Sequence, residues 1–408
     1  MVKKIWRFRA IDTWFFKEAR QMESFGGSEL NSVFPPPPRT VMGAIRTAMG
    51  EALGVDWKEY KKENQRKDYK INGFPFGEYI GYGDHTGKLE FNGPWLSIKK
   101  NGNWERLYPV PRNLFESDKK IVRLIVDKPV HCDLGKNVYL PKLPDTPDTK
   151  PKPKPIEGWI TQSGLESALN GKEIQYDEIY FDKPDESEGE DKTLYARESR
   201  LGIARDNAFR VAKESMLYQT SHIRPKQDIA IEVDLEVPDE KLNKPIKLIR
   251  FGGESRFARI EVADQEKIDI NPPPNVDKDT KDIHGIIIIL LTPALFDQSG
   301  WLPAGFTKSE ENKQTVWKGN LHEINLTIHC AVIGKAQREG GWNIAENKPI
   351  DVKTIIPAGS IYYCKVDDGN IDNAVKSLHL KKIGADNALG RGQIAVGLWK
   401  NNEFTPNK

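Results

Sequence analysis

The chain has 408 residues, 61 Lys plus Arg against 59 Asp plus Glu, and 38% hydrophobic side chains, a length that suits two domains better than one core. The longest apolar run, Ile286–Leu291, is far below the ~20 residues that span a bilayer, and the charged, aromatic opening Met1–Arg9 lacks the continuous apolar stretch of a secretory signal; a cytoplasmic protein is expected. A net charge of +2 excludes a global basic footprint, so contact with a polyanion must come from local clusters of Lys and Arg.

Trp6, Phe8 and Ala10 alternate with Arg7 and Arg9, the period-two pattern of a half-buried first strand over Ile5–Ile11. A loop ending in Phe34-Pro-Pro-Pro-Pro-Arg39-Thr40 leads to Val41, Met42, Ile45, Ala48, Met49, Ala52 and Leu53 at helical spacing, with Thr40 as cap and Gly54 as stop. The proline-rich stretch 141–158 and the acidic stretch 182–192 read as solvated insertions. Ile229–Val237 and Phe257–Val262 alternate as strands. Periodicity then breaks at Asn271–Lys281, which places a linker at 269–282 between domains 1–268 and 283–408. Beyond it, strands are expected at His284–Leu291, Glu323–Val332 and Ser360–Val366, then a helix at Asp372–Leu380 and a last strand at Gln393–Trp399.

Both halves end alike, with a glycine turn carrying an arginine just before a strand: Gly252-Gly253-Glu-Ser-Arg256 in one, Gly384 to Gly390-Arg391-Gly392 in the other. The expected class is therefore α+β, a duplicated ferredoxin-like β-α-β-β-α-β unit with large loop insertions. Glycines let backbone approach a ligand closely, consecutive N–H groups can cradle phosphate, and a guanidinium can bind it through two parallel hydrogen bonds. The order helix, loop, strand is the reverse of a dinucleotide fingerprint. Phe251, Arg250, Phe257, Arg259, Lys381 and Lys382 flank the turns and supply the stacking and charge that single-stranded RNA offers.

These residues, with Asp12-Thr-Trp-Phe-Phe-Lys-Glu-Ala-Arg20, Phe34 to Arg46, Arg200-Leu-Gly-Ile203, Leu217-Tyr218, His222-Ile-Arg-Pro225, Gly340-Gly-Trp342 and Ile356 to Tyr363, closely resemble, in order, the third-subunit family of the Cmr complex within the RAMP superfamily of CRISPR proteins. The resemblance implies a non-catalytic subunit of a type III-B effector that grips the 5′ tag of the guide RNA (crRNA). It implies docking on the large polymerase-palm subunit beside a backbone RAMP subunit. Arg39, Arg200, Gly252, Gly253, Arg256, Gly384, Gly390, Arg391 and Gly392 become the expected RNA contacts. The family often has Arg-Asp where this chain has Lys17-Glu18, and an ammonium cannot make the planar fork of arginine.

Each feature also has a plainer reading. Pro35–Pro38 is a rigid lead-in to the helix rather than a docking motif. His222 beside Arg224 could serve a metal-independent guide-processing endoribonuclease, the competing function, but no Lys or Tyr constellation accompanies it. His131-Cys132-Asp133 cannot easily share one ion in an extended chain; the three cysteines are scattered, and no metal or cofactor is expected. Gly340-Gly-Trp342 is either a stacking platform or, as favoured here, a turn whose indole closes the second core. Arg197, Glu198 and Arg200 could be surface ion pairs.

Overall fold

The structure is a computed structural model. It describes residues 1–19, 29–60, 62, 66–144, 152–182, 192–206, 208–209, 211–264, 270–274, 282–296, 300–343 and 347–403, with backbone only at 204, 205 and 212–217. Arg20, the Leu217 side chain, the middles of both expected insertions and most of the expected linker lie outside the described residues. The protein is mixed α and β, strand-rich, and built on two main antiparallel sheets.

The eight-stranded sheet runs Ile179–Phe181, Gly158–Thr161, Asn103–Pro109, Glu90–Lys100, Ile229–Val237, Val2–Ala10, Phe257–Asp264, Leu248–Arg250. The six-stranded sheet runs Thr307–Glu311, Gln314–Leu321, Ile324–Val332, Ile361–Val366, Ile283–Leu290, Ile394–Lys400. Four strands in each repeat one order: numbered along the chain, they lie 2-3-1-4. Corresponding registers match as well, Ala10 opposite Ala258 in one sheet and Leu290 opposite Ile394 in the other.

Alternation decides which face is covered. Trp6 and Phe8 on the first strand are fully buried and join Val41, Met42, Ile45 and Ala48 of the helix Pro38–Leu53 in one core, each large side chain contributing roughly 1.5–3 kcal/mol. Arg7 points to the opposite face, where its Nε donates to Glu232 at 2.7 Å. That helix starts at Pro38, with Pro37 as cap and no side-chain cap. Thr40 is therefore not the cap: a ring locked near helical φ with no N–H to satisfy already serves the first turn. Gly54 ends the helix at φ 75°.

Helices are reduced. Between the third and fourth strands the first half has only the 3-10 turn Glu240–Asn243. Between the first and second strands the second half has, among the described residues, the hairpin Thr307–Glu311/Gln314–Leu321 in place of a helix. The helix Ile371–Leu378 stands where the sequence put it.

The halves share packing. One core cluster combines Trp95, Tyr108 and Ile160 with Ile287, Tyr363 and Trp399, and Ile270 belongs to it. Asn113 Nδ2 donates to the Tyr363 hydroxyl at 2.9 Å and Lys382 Nζ to the Phe91 carbonyl at 2.9 Å; burial draws the Lys382 ammonium down to about 8. Among the hairpins outside these two sheets are a long one, Tyr195–Asp206 with Val211–Pro225, which Glu29–Asn31 joins in parallel, and a short one, Gln337–Asn343 with Lys348–Ile355.

Candidate nucleic-acid interface

The two glycine turns occupy equivalent places. After each first strand the chain makes a bridge to a later strand end, Trp14 with Ile223 and Ala294 with Ile356. The next residue's carbonyl then accepts from the turn: Gly253 N–H to Phe15 O at 2.7 Å, and Ala385 N–H to Leu295 O at 2.8 Å. Gly252 (φ 86°) and Gly384 (φ 87°) sit so close to those carbonyls, and to Phe16 and Phe296, that a Cβ on either would overlap them. The close backbone approach these glycines allow is thus made by the protein's own chain. Gly390 likewise abuts the Gly93 carbonyl and Phe91, and Gly392 the Ile383 carbonyl. Gly253 lies against the Phe15 ring.

The arginines divide into two groups. In the first, Arg200 from one strand of the long hairpin, Arg224 from the other, and Arg256 from the glycine turn converge on Asp12, at 3.0, 3.0 and 3.3 Å. Glu198 takes Arg200 and Arg224, each at 2.6 Å. Three cations against two carboxylates leave one positive charge. All five side chains are partly open to solvent, Asp12 to 45%. The hydrogen bond from Arg200 holds the Asp12 carboxyl below its ordinary range, and that from Arg224 does the same for Glu198.

In the second group, charges alternate across the seam between the halves. Arg39 meets Asp84 at 2.5 Å; Asp84 lies 4.0 Å from Lys353 of the short hairpin; Lys353 meets Asp386 of the second turn at 2.9 Å; Asp386 lies 3.9 Å from Arg391; and Arg391 bonds to Glu339. Asp84 is held there by Arg46, which donates to the carbonyls of Ile80, Gly83 and His85; burial lowers this guanidinium to about 10. Arg391 is 1% exposed. A phosphate on the surface cannot reach it while the short hairpin is seated, and Arg391 Nε and Nη1 have no hydrogen-bond partner among the described residues.

His222 lies beneath the first group, 1% exposed and stacked on Phe15. Its Nδ1 meets the Thr13 hydroxyl and its Nε2 the Thr220 hydroxyl, each at 3.1 Å. Burial, with Arg256 and Arg200 nearby, lowers it to about 4. Both ring nitrogens are occupied, so this histidine pins the loop to the hairpin and is not placed to attack RNA. Trp342, expected in the second core, is instead 55% exposed within a strand of the short hairpin.

Between the halves runs a groove of about 290 Å³ lined by Phe34, the four prolines, Trp95, Trp159 and Pro357, with Arg112, Glu157, Asp182 and Glu339 at its polar side. Among the described residues, Trp95 Nε1 and Arg112 Nε are buried without a hydrogen-bond partner. Sequence reasoning found Arg200 and Arg256 but not their organiser Asp12, nor Arg112, Asp84 and Lys353. The one available signal was the i, i+2 spacing of Glu198 and Arg200, which puts both on one face of a strand.

A family model described as CRISPR-associated protein (Cas_Cmr3) matches residues 6–399. The chain is 30% identical over 107 residues to the CRISPR system CMR subunit Cmr3 of Saccharolobus solfataricus, which is 26% of this chain and 32% of that protein; it thus spans about a third of the length of that curated relative. Among solved structures it is similar to a chain of the Type III-B Cmr-beta bound to cognate target RNA, at 17% identity and TM-score 0.43 over 88% of this chain and 86% of that one. It is also similar to a chain of the Csm1-Csm4 cassette in complex with cA4, at 10% identity and TM-score 0.27 over 87% of this chain and 97% of that one. With a family match running from near one end of the sequence to near the other, the chain belongs to the Cas_Cmr3 family of CRISPR-associated proteins.

Proposed function

We propose that this subunit is non-catalytic and grips the 5′ tag of the guide crRNA, using two ferredoxin-like units joined along a seam. The observation that carries this reading is the convergence of Arg200, Arg224 and Arg256 at one partly exposed point with an excess positive charge. Guanidinium groups fixed by protein contacts before RNA arrives lose little freedom on binding phosphate, and their forks suit its oxygens. The glycine turn holding Arg256 keeps the cluster in register with the first sheet. Gly252, Gly253, Gly384, Gly390 and Gly392 shape the two turns from behind, Arg39 stands at the head of the seam, and Arg391 organises it. The apolar groove, with its spare indole and guanidinium donors, suits a base splayed from the tag.

The repeated 2-3-1-4 strand order supports the ferredoxin-like interpretation, each unit keeping one of its two helices. On this reading the subunit works in the cytoplasm and docks on the large palm-domain subunit beside a backbone RAMP subunit.

The test uses the full chain with guide RNA carrying an intact or a scrambled tag, in EDTA. Binding roughly tenfold tighter to the intact tag, about 1.4 kcal/mol, with no cleavage, is the expected result. Equal affinities would overturn tag recognition, and site-specific cuts would establish the processing nuclease instead.

A further inference from the structure

Asp12 has an unusual position. It is the point at which three guanidinium groups from three separate segments meet: Arg200 and Arg224 from the two strands of the long hairpin, Arg256 from the glycine turn. Arg200 and Arg224 have a second carboxylate in Glu198. For Arg256, Asp12 is the carboxylate within salt-bridge distance among the described residues. Nearly half of the Asp12 side chain faces solvent, so a carboxylate sits where three positive groups are aimed and where an anion from outside can arrive.

From this we propose that Asp12 is an internal stand-in for phosphate: it holds the three arginines in a phosphate-ready arrangement while the site is empty and is displaced by a phosphodiester of the bound RNA. The proposal rests on the reading of this cluster as an RNA contact and adds what sets its selectivity. A carboxylate and a phosphodiester each carry one negative charge and offer oxygens to the same guanidinium forks. Exchange therefore keeps the number of ion pairs nearly constant while leaving Asp12 close to the incoming phosphate, where the like charges repel. A lone anion gains almost nothing by the exchange. A strand held at several phosphates and stacked elsewhere has surplus binding free energy to drive it. Asp12 thus suppresses short or loosely held anions and favours a polymer engaged along its length. Glu198 retains Arg200 and Arg224 after the exchange, so Arg256 is the group whose partner changes outright.

The experiment measures binding of the full chain to tag-bearing guide RNA and to a four-nucleotide RNA, for wild type, Asp12→Asn and Arg224→Ala, over a salt series. Asn keeps the shape and one acceptor oxygen but removes the competing charge. The expected result for D12N is roughly tenfold tighter binding of the short RNA, the scale of lifting one like-charge repulsion at a part-exposed site, with a smaller gain for guide RNA and a log–log salt slope steeper by about 0.7. If D12N weakens binding of both RNAs, leaves both unchanged, or fails to fold while wild type folds, Asp12 is a structural hub and the proposal is overturned. R224A separates the two layers of the argument. Should R224A bind guide RNA like wild type, the cluster is not an RNA contact and the functional reading itself falls; should R224A bind weakly while D12N gains nothing, only the stand-in role falls.

Discussion

The two arginines that sequence places at matching points of the two halves, Arg256 and Arg391, end in opposite surroundings. Arg256 closes a six-residue turn that is open to solvent and keeps 24% of its side chain exposed. Arg391 is the last residue but one of a ten-residue turn, Ile383 to Gly392, with the short hairpin against it, and 1% of it is exposed. The anchoring glycines are equivalent to within one degree of φ, 86° at Gly252 and 87° at Gly384, so the turns' shared geometry does not decide what their arginines do. What covers them decides. An ion pair at the surface adds little to stability and leaves the cation free to exchange partners, whereas a buried one cannot lose a partner without leaving an uncompensated charge. One arginine is suited to binding and the other to holding the seam together.

The sharpest way to break this comparison is Arg391→Ala. Glu339 would be left without its cation while Asp386 would keep Lys353, and breaking a buried pair costs about 3 kcal/mol or more. Chemical denaturation of the full chain should show a loss of that size, with the salt dependence of RNA binding little changed in the fraction that stays folded. A stability change under ~1 kcal/mol would show that Arg391 is in effect a surface residue and that the two arginines are alike after all.

A somewhat smaller effect is expected where the halves agree. Alanine at Gly252 or Gly384 would force a left-handed backbone on a residue with a Cβ and press that Cβ against a carbonyl, of Phe15 in one case and Leu295 in the other. The conformational part alone is about 1–2 kcal/mol. G252A and G384A should therefore lower the thermal midpoint by similar amounts. A large cost at one position and none at the other would mean that the turns are only superficially equivalent.

Much of this was legible in the sequence where one face of a strand meets a core. The alternation of Trp6 and Phe8 with Arg7 and Arg9 gave the first strand and its orientation, and the apolar spacing from Val41 to Leu53 gave the first helix. The strands Ile283–Leu290, Ile324–Val332, Ile361–Val366 and Ile394–Lys400 were read to within a residue or so, whereas Thr307–Glu311, Gln314–Leu321 and the short hairpin were not read. The long hairpin was not read, because in Tyr195–Asp206 charged residues fall on both faces and no apolar stripe marks it. The reduction of two helices to a turn and a hairpin was hidden too, since the loops that replace them carry no period. At the site, sequence supplied the arginines but not their partners. Asp12 and Arg256 lie 244 residues apart, and only the folded sheet brings them together. Burial of Arg391 depends on a hairpin that begins 54 residues earlier in the chain, and no local pattern announces which loop will be covered.

The finest test is Arg256→Ala, for which the effect on stability should be the smallest, under about 1 kcal/mol, because the ion pair it removes is partly solvated and Asp12 keeps Arg200 and Arg224. Its effect should appear in binding instead. Every phosphate of a single strand that is no longer neutralised lowers the magnitude of the log–log salt slope by about 0.7, so R256A should bind guide RNA more weakly at low salt and converge on wild type as salt rises. The same substitution at the buried arginine should produce the reverse pattern, a stability loss without the slope change. If R256A keeps the wild-type slope, Arg256 does not touch phosphate, and exposure alone does not separate the arginine that binds from the arginine that holds.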